Sequence, residues 1–373
     1  MTQKLAIVST VRGPAAVIDS FVRYHLRVGF SRIYLIFDDP DDPSLADMRR
    51  YPQVAAFPCD DRLRGEWQRT RFYALRRYDG RSFDIHDRQQ LNVAVAIDLA
   101  LRDGVDWLLH IDHDELLYEP DFFAPFARTA GDIFRSFFEL GFRHVTFRNL
   151  EAVPEVADIE DPFQQLTLFK RHPATLQGGW FTPGQASLVR AVPQFPENFF
   201  FNYGNGKSAA VVSPDLIPEG AHEFYLREQQ GWRSQVERRL ALNRVALRIS
   251  ARWSPGAMLV KRLLARQTRR CIGVNVPTIL HYPNWGFEQF WTKYGQYGYF
   301  GAVRDSGIRD RLTRFHAEAH RVVQSGDMAA ARAFFEERVV ISDGSLADRL
   351  IVSGLLCRIS EPSEWLASHP AGS

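Results

Sequence analysis

Trp107-Leu108-Leu109-His110-Ile111-Asp112-His113-Asp114-Glu115 decides how this chain of 373 residues is read. An unbroken apolar run ends in three carboxylates packed around a histidine. Short apolar runs of this kind fit a strand covered on both faces. Carboxylates at the carboxyl end of such a strand lie where open α/β sheets bind their ligands. Asp112 and Asp114 stand one residue apart, so both can reach one hard divalent cation, or one can hold a ligand hydroxyl while the other holds the metal. A surface turn would account for Asp-x-Asp taken alone, so the chain on either side has to add weight.

Upstream it does. Lys4 to Thr10 reads as a first buried strand, and Arg12-Gly13-Pro14 as the loop after it. Ile18, Phe21, Val22, His25 and Leu26 recur at helical spacing, with Gly29 as a natural stop. Arg32 to Phe37 is a second strand, followed by an acidic loop that begins Asp38-Asp39. Strand, helix and strand make a βαβ unit, which implies parallel pairing and a right-handed crossover. Val54 to Phe57 is a short third strand, and residues 60 to 83 are rich in Arg and aromatics without clear period. Asp87 or a neighbour caps a long helix with Val93, Ala96, Ile97, Ala100 and Leu101 on one stripe, and Gly104 ends it. Two acidic loops then fall at the same edge of one doubly wound half.

Downstream the pattern changes. Arg143 to Arg148, Leu166 to Lys170, Ala186 to Arg190 and Ala209 to Val212 read as strands of a mixed sheet. Arg227 to Arg270 is strongly basic, its only acids being Glu228 and Glu237. Leu242, Val245 and Ile249 share a helical face there. Such a stretch is either a solvated face or a surface turned toward an anionic acceptor or lipid headgroups. Thr278 to His281 is a last strand, Phe287 to Tyr299 an aromatic helix, and the remainder is helical. The expected organisation is residues 1–115 as a nucleotide-binding half, 116–285 as an acceptor half with a basic insertion at 227–270, and 286–373 as a C-terminal helical region.

Composition narrows the classes. The net charge of +2 gives no global field toward nucleic acid. Cys59, Cys271 and Cys357 are far apart and lack metal-ligand spacing, which suits free thiols in a reducing compartment. The first strand begins at Lys4, which leaves no secretion signal ahead of it, and no apolar run is long enough to cross a bilayer. The expectation is a cytoplasmic protein whose membrane contact, if any, is peripheral and runs through 227–270.

Several ordered motifs now carry a likeness. YHLRVGFSRIYLIFDDPDDPS (from Tyr24), DRQQLNVAVAIDLALRDGVDWLLHIDHDELLY (from Asp87), NYGNGKSAAVV (from Asn202), GAHEF (from Gly220) and ILHYPNWGFEQFWTKY (from Ile279) together resemble the glycosyltransferase family 2-like and family 92-like enzymes. The resemblance spans residues 4 to 300 in outline and implies a GT-A fold: a Rossmann-like α/β domain with a mostly parallel mixed sheet and flanking helices, here with a C-terminal helical extension. It implies an inverting transfer of a sugar from a nucleotide-sugar donor to a glycan, polysaccharide or lipid-linked acceptor, with Mn²⁺ or Mg²⁺. Asp112-His113-Asp114 matches the family's Asp-x-Asp signature, so Asp114 would hold the metal and Asp112 would contact the ribose or share the metal. Asp38 or Asp39 would bond the donor nucleoside, Arg12 would line the base or phosphate pocket, and Arg88-Gln89 match the pair that opens the helix before the metal strand. Relatives commonly carry Asn-Glu after the basic residue of the first loop, whereas Gly13-Pro14 stands here.

The chemistry needs these residue types. A nucleoside diphosphate leaves poorly unless its developing charge is neutralised, and a divalent ion on carboxylates does this as a Lewis acid. Hard oxygen ligands and retained waters fit Mg²⁺ or Mn²⁺. His222 and His281 are the candidates for a further metal ligand, and for each a hydrogen-bonded structural histidine is the plain alternative. Gly206-Lys207-Ser208 is not a phosphate-binding P-loop, because Phe201 stands where that motif needs its first glycine, but Lys207 can still reach a phosphate as a point charge. Glu151, Glu197 and Glu223 are candidates for the base that activates the acceptor hydroxyl. Trp180, Trp285, Trp291 and Tyr294 are candidates to stack on sugar faces, with a core role as the alternative for each. Two rival classes stay open: a metal-dependent nucleotidyltransferase that makes the activated sugar, and a non-catalytic module that binds anions through 227–270.

Overall fold

The computed structural model describes residues 3–76, 83–176, 179, 181–196, 198–220, 223–226, 270–296 and 314–370. Its strands are β1 (Leu5–Val11), β2 (Arg32–Phe37), β3 (Val54–Pro58), β4 (Trp107–His110), β5 (Glu115–Tyr118), β6 (His144–Ala152), β7 (Leu168–Lys170), β8 (Lys207–Val211), β9 (Leu216–Glu219), β10 (Glu223–Leu226), β11 (Arg270–His281) and β12 (Leu356–Arg358). Contacts gather the chain into two compact units, Met1–Asn149 with Asn205–Ile279, and Leu150–Gly204 with Leu280–Ser373.

The first unit carries the sheet order β3-β2-β1-β4-β8-β6. The four strands from β3 to β4 are parallel, and β8 runs antiparallel to both β4 and β6. This is the Rossmann-like mixed sheet with flanking helices that the resemblance implies. Register sets the site: Val11 lies opposite Phe37, and Val8 opposite His110, so β1, β2 and β4 deliver their carboxyl ends to one edge. The strands are apolar on both faces because helices cover both. On one face Ala6, Val8, Tyr34, Ile36 and Leu108 bury Leu91, Ala94, Ile97 and Ala100 of the Ile85–Asp103 helix. Each fully buried Leu or Ile there stabilises by roughly 1.5–3 kcal/mol.

Local chemistry sets the helix ends. Asp84 caps the Ile85–Asp103 helix by accepting the Asp87 amide at 2.8 Å, and Gly104 closes it in the left-handed region at φ 65°. The stretch 60 to 83, which shows no clear period, includes among its described residues the helices Asp61–Arg69 and Arg71–Arg76. Asp60 caps the first, and only Leu63 and Trp67 face inward, too few among arginines to stand out as a stripe. Ala186 to Arg190 is not a strand. It lies in the Pro183–Ala191 helix, started by a reciprocal Thr182–Gln185 cap with Pro183 in the first turn.

The second unit holds the end of β6, then β7 and β12, paired antiparallel through Glu151 with Lys170 and Cys357 with Phe169. Val153, Phe195 and Phe199 share one core with Ile341, Leu350 and Leu356. Phe201 shares another with Phe290, Phe315 and Phe335. The C-terminal helices therefore close their cores on residues from the 150–204 segment. All three cysteines are free thiols. No described helix is long and apolar enough to cross a membrane. The basic stretch 227–269 lies outside the described residues.

Candidate active site

The site is built from the turn after β4. His110 ends the strand wholly buried, and desolvation depresses its imidazole to about 3. Asp112, His113 and Asp114 follow, half-buried, before Glu115 turns back inside as the first residue of β5. Glu115 ties the turn together by accepting the Asp112 amide at 2.8 Å. Burial holds its carboxyl well above the usual range, against the pull of Lys207 at 3.4 Å. Lys207, the first residue of β8, is itself buried and donates to Asp112 Oδ2. Burial opposes the charge on Lys207, but Asp112 and Glu115 outweigh it and raise the ammonium pKa. The first loop lies against the same turn: a Cβ on Gly13 would meet His113 Nε2 at 3.0 Å. That close approach is a physical reason for glycine at this position.

The start of the Ile85–Asp103 helix joins the two acidic loops. Arg88 grips Asp38 with two bonds, at 2.7 and 2.9 Å, and its pKa rises with that pairing. The next residue, Gln89, reaches Asp112 Oδ1 at 3.4 Å. Asp38 is only 6% exposed at its side chain, so it meets Arg88 before it meets any ligand. Asp39 is exposed and accepts the Asp41 amide at 3.0 Å, shaping its own loop. Arg12 is exposed beyond the end of β1.

Beside the Asp38–Arg88 pair lies a cavity of about 380 Å³ lined by Asp38, Cys59, Arg64, Trp67, Phe83 and Arg88. That volume is in the range of small-molecule pockets. Trp67 and Phe83 meet edge to face at 5.6 Å. Asn92 supports the wall from beneath: it accepts from Trp67 Nε1 at 2.9 Å and donates to Thr10 Oγ1 at 3.0 Å. Cys59, Arg64, Trp67 and Asn92 are not among the residues expected from the sequence. The signal available for the wall was Asp60 ahead of Leu63 and Trp67, a cap followed by an i, i+4 pair.

Apart from Glu223, the remaining described candidates belong to the second unit. Glu151 belongs to the second unit, fully buried, ion-paired to Lys170 at 3.0 Å and accepting the Phe201 and Asn202 amides at 2.9 and 3.2 Å. Those bonds make it a structural carboxylate. His281 also belongs to the second unit, buried and stacked on Tyr203 with centroids 4.7 Å apart. Tyr294 is core, donating to His316 Nδ1 at 2.6 Å, and Trp285 is buried as well. Trp291 is half-buried against the second unit's core. Glu223 opens β10 in the first unit and is half-buried. Trp180, Glu197 and His222 lie outside the described residues.

The donor set at the turn suits a hard cation. Asp112 and Asp114 are oxygen donors on a half-buried turn, and among the described residues no group of three or more His, Cys, Asp or Glu is placed to hold a metal ion. Mg²⁺-like ions are generally held by one or two carboxylates, with water and substrate phosphates completing the shell.

Compared with known proteins, no family model matches this sequence. The chain is similar to two plant proteins of Arabidopsis thaliana. It is 31% identical over 144 residues to Glycosyltransferase-like At2g41451, covering 39% of this chain and 30% of that protein. It is 26% identical over 217 residues to Glycosyltransferase-like At3g57200, covering 55% of this chain and 40% of that protein. The chain thus spans less than half the length of either relative. Among solved structures it matches 4-diphosphocytidyl-2C-methyl-D-erythritol synthase from Anaerococcus prevotii at 10% identity and a TM-score of 0.25, over 76% of this chain and 90% of that one.

Proposed function

We propose that this chain is a glycosyltransferase that moves a sugar from a nucleotide-sugar donor to a hydroxyl of a glycan or lipid-linked acceptor. One observation carries the reading. Consecutive residues at the start of one helix, Arg88 and Gln89, tie the acidic end of β2 to the acidic turn after β4, beside a cavity of small-molecule size. The similarity to two glycosyltransferase-like proteins supports it independently.

In this reading the cavity takes the nucleoside. Trp67 and Phe83 offer apolar area, while Arg64 and Arg88 offer donors at its rim. The Asp112–Asp114 turn takes the diphosphate end with Mn²⁺ or Mg²⁺. When bound, that ion would supply Lewis-acid stabilisation of the departing diphosphate. Lys207 adds a second positive charge at the same place. Glu223 is the candidate base because, unlike Glu151, it shares a unit with the turn and keeps part of its surface open to solvent. It would take the proton of the acceptor hydroxyl as that oxygen attacks the sugar, inverting its anomeric centre. The basic segment 227–270 is the part proposed to meet an anionic acceptor or a membrane surface.

The test is a thermal-shift panel of nucleoside diphosphates and their sugars with and without Mn²⁺, followed by product analysis. One donor series should raise the melting temperature by mass action only when the ion is present. Asp114→Asn should remove that shift while leaving the unliganded melting temperature in place. Turnover should release a nucleoside diphosphate. Release of pyrophosphate would make the chain a nucleotidyltransferase instead, and an unchanged Asp114→Asn shift would sink the assignment of the turn.

A further inference from the structure

Lys207 enters β8 from Gly206, and the backbone there admits little else. Gly206 sits at φ +79°, and a Cβ on it would lie 1.7 Å from the Phe147 carbonyl oxygen. The lysine that follows has no exposed side-chain surface, and its ammonium rests on Asp112 Oδ2 and 3.4 Å from Glu115 Oε2. The other oxygen of Glu115 is buried without a hydrogen-bond partner among the described residues. A buried ammonium needs an anion beside it at all times, since breaking such a pair strands a charge. Asp112 is the solvent-facing member of the group, one quarter exposed at its side chain.

We propose that Lys207 is a resident counter-cation that keeps the Asp112–Asp114 turn from holding a divalent ion by itself, so that the ion and the diphosphate bind as a coupled pair. This inference rests on the glycosyltransferase reading of the turn. A divalent ion arriving alone meets a carboxylate whose charge is already matched and an ammonium that repels it. A diphosphate brings several negative charges to the same spot. It gives Lys207 a further anion, which loosens its hold on Asp112 and frees that oxygen for the ion. Coupling of this kind is reciprocal: whatever factor the diphosphate lends the ion, the ion returns. The consequence is ordered loading, in which the turn does not capture metal without donor.

Mn²⁺ binding, read by electron paramagnetic resonance, tests this without turnover. Inorganic pyrophosphate serves as the diphosphate probe, with its own chelation of Mn²⁺ in free solution subtracted. Lys207→Met keeps an unbranched chain of similar volume and removes the charge, and Lys207→Gln keeps a donor without charge. The expected result is that either variant binds Mn²⁺ alone roughly tenfold tighter than the wild type, with the pyrophosphate effect reduced by the same factor. Asp114→Asn should abolish the binding in both backgrounds. Equal Mn²⁺ affinity in wild type and variants overturns the role of Lys207 while leaving the metal site standing. If neither variant folds, the wild type decides: pyrophosphate must tighten Mn²⁺ by roughly tenfold, and no tightening overturns the inference. If no form holds Mn²⁺ even with pyrophosphate, the metal assignment of the turn falls too.

Discussion

Gly206 is the residue whose replacement is most directly forbidden. Its φ of +79° and its contact with the Phe147 carbonyl act together, so Gly206→Ala has neither a relaxed backbone nor room for a methyl group. The expected cost is roughly 2 kcal/mol or more. It should appear as a lower denaturant midpoint with an unchanged slope, and it should also misplace Lys207. The sequence offered Gly206 as part of a rejected P-loop and, with Gly204, as a residue that permits a tight loop, but not its lack of room, because the neighbour that forbids a side chain comes from β6, far away in the chain. The same holds for Asp38. Its place after a strand was legible, but its capture by Arg88 was not, since fifty residues separate the partners.

At the scale of elements, the helix Ala15–Arg27 steadies the strand after the acidic turn. Tyr24 donates its hydroxyl to the Leu117 carbonyl at 2.9 Å, and His25 Nε2 accepts the Leu117 amide at 3.3 Å. His25 Nδ1 donates to the Phe21 carbonyl at 2.8 Å, so the ring must be neutral to make both bonds. Burial accordingly lowers its pKa from 6.5 to about 3. Between those values the unfolded chain binds a proton that the native chain refuses, so stability rises with pH across this window. The contribution is complete above 6.5 and is lost as the pH falls toward about 3. The slope for one such histidine is at most about 1.4 kcal/mol per pH unit. His25→Gln should give a shallower fall in urea midpoint over that window. A variant curve as steep as the wild type would mean that His25 does not carry the acid sensitivity. His25 was read as one position of an apolar stripe, and that reading holds, but its clamp on β5 appears only once the helix is packed.

At the scale of the molecule, residues near the C terminus complete cores begun by the 150–204 segment. Phe335 is wholly buried and lies 5.2 Å from Phe290 and 6.0 Å from Phe287, ring centre to ring centre. Phe335→Ala should cost about 3–5 kcal/mol in the second unit, read by calorimetry as a lowered transition. Removing 314–373 altogether should expose the apolar face of the Phe287–Gln296 helix and give a chain that binds a hydrophobic dye. If that truncated chain unfolded as cooperatively as the whole, the shared core would be the wrong description.

What the sequence determined alone was whatever depends on neighbours in the chain. Apolar runs marked β1 to β4, a 3.6-residue stripe marked the long helix, Gly104 ended it, and Asp112 to Glu115 marked the sheet edge. These are local patterns of hydrophobicity and backbone freedom, legible from one chain. Tertiary structure alone decided which charges meet: Arg88 with Asp38, Lys207 with Asp112 and Glu115, Lys170 with Glu151. It also decided that Trp67, Asn92 and Thr10 form one wall. An ion pair between separate elements carries no periodicity and no preferred spacing in sequence, so its partner is fixed only when the sheet sets the distances between strand ends.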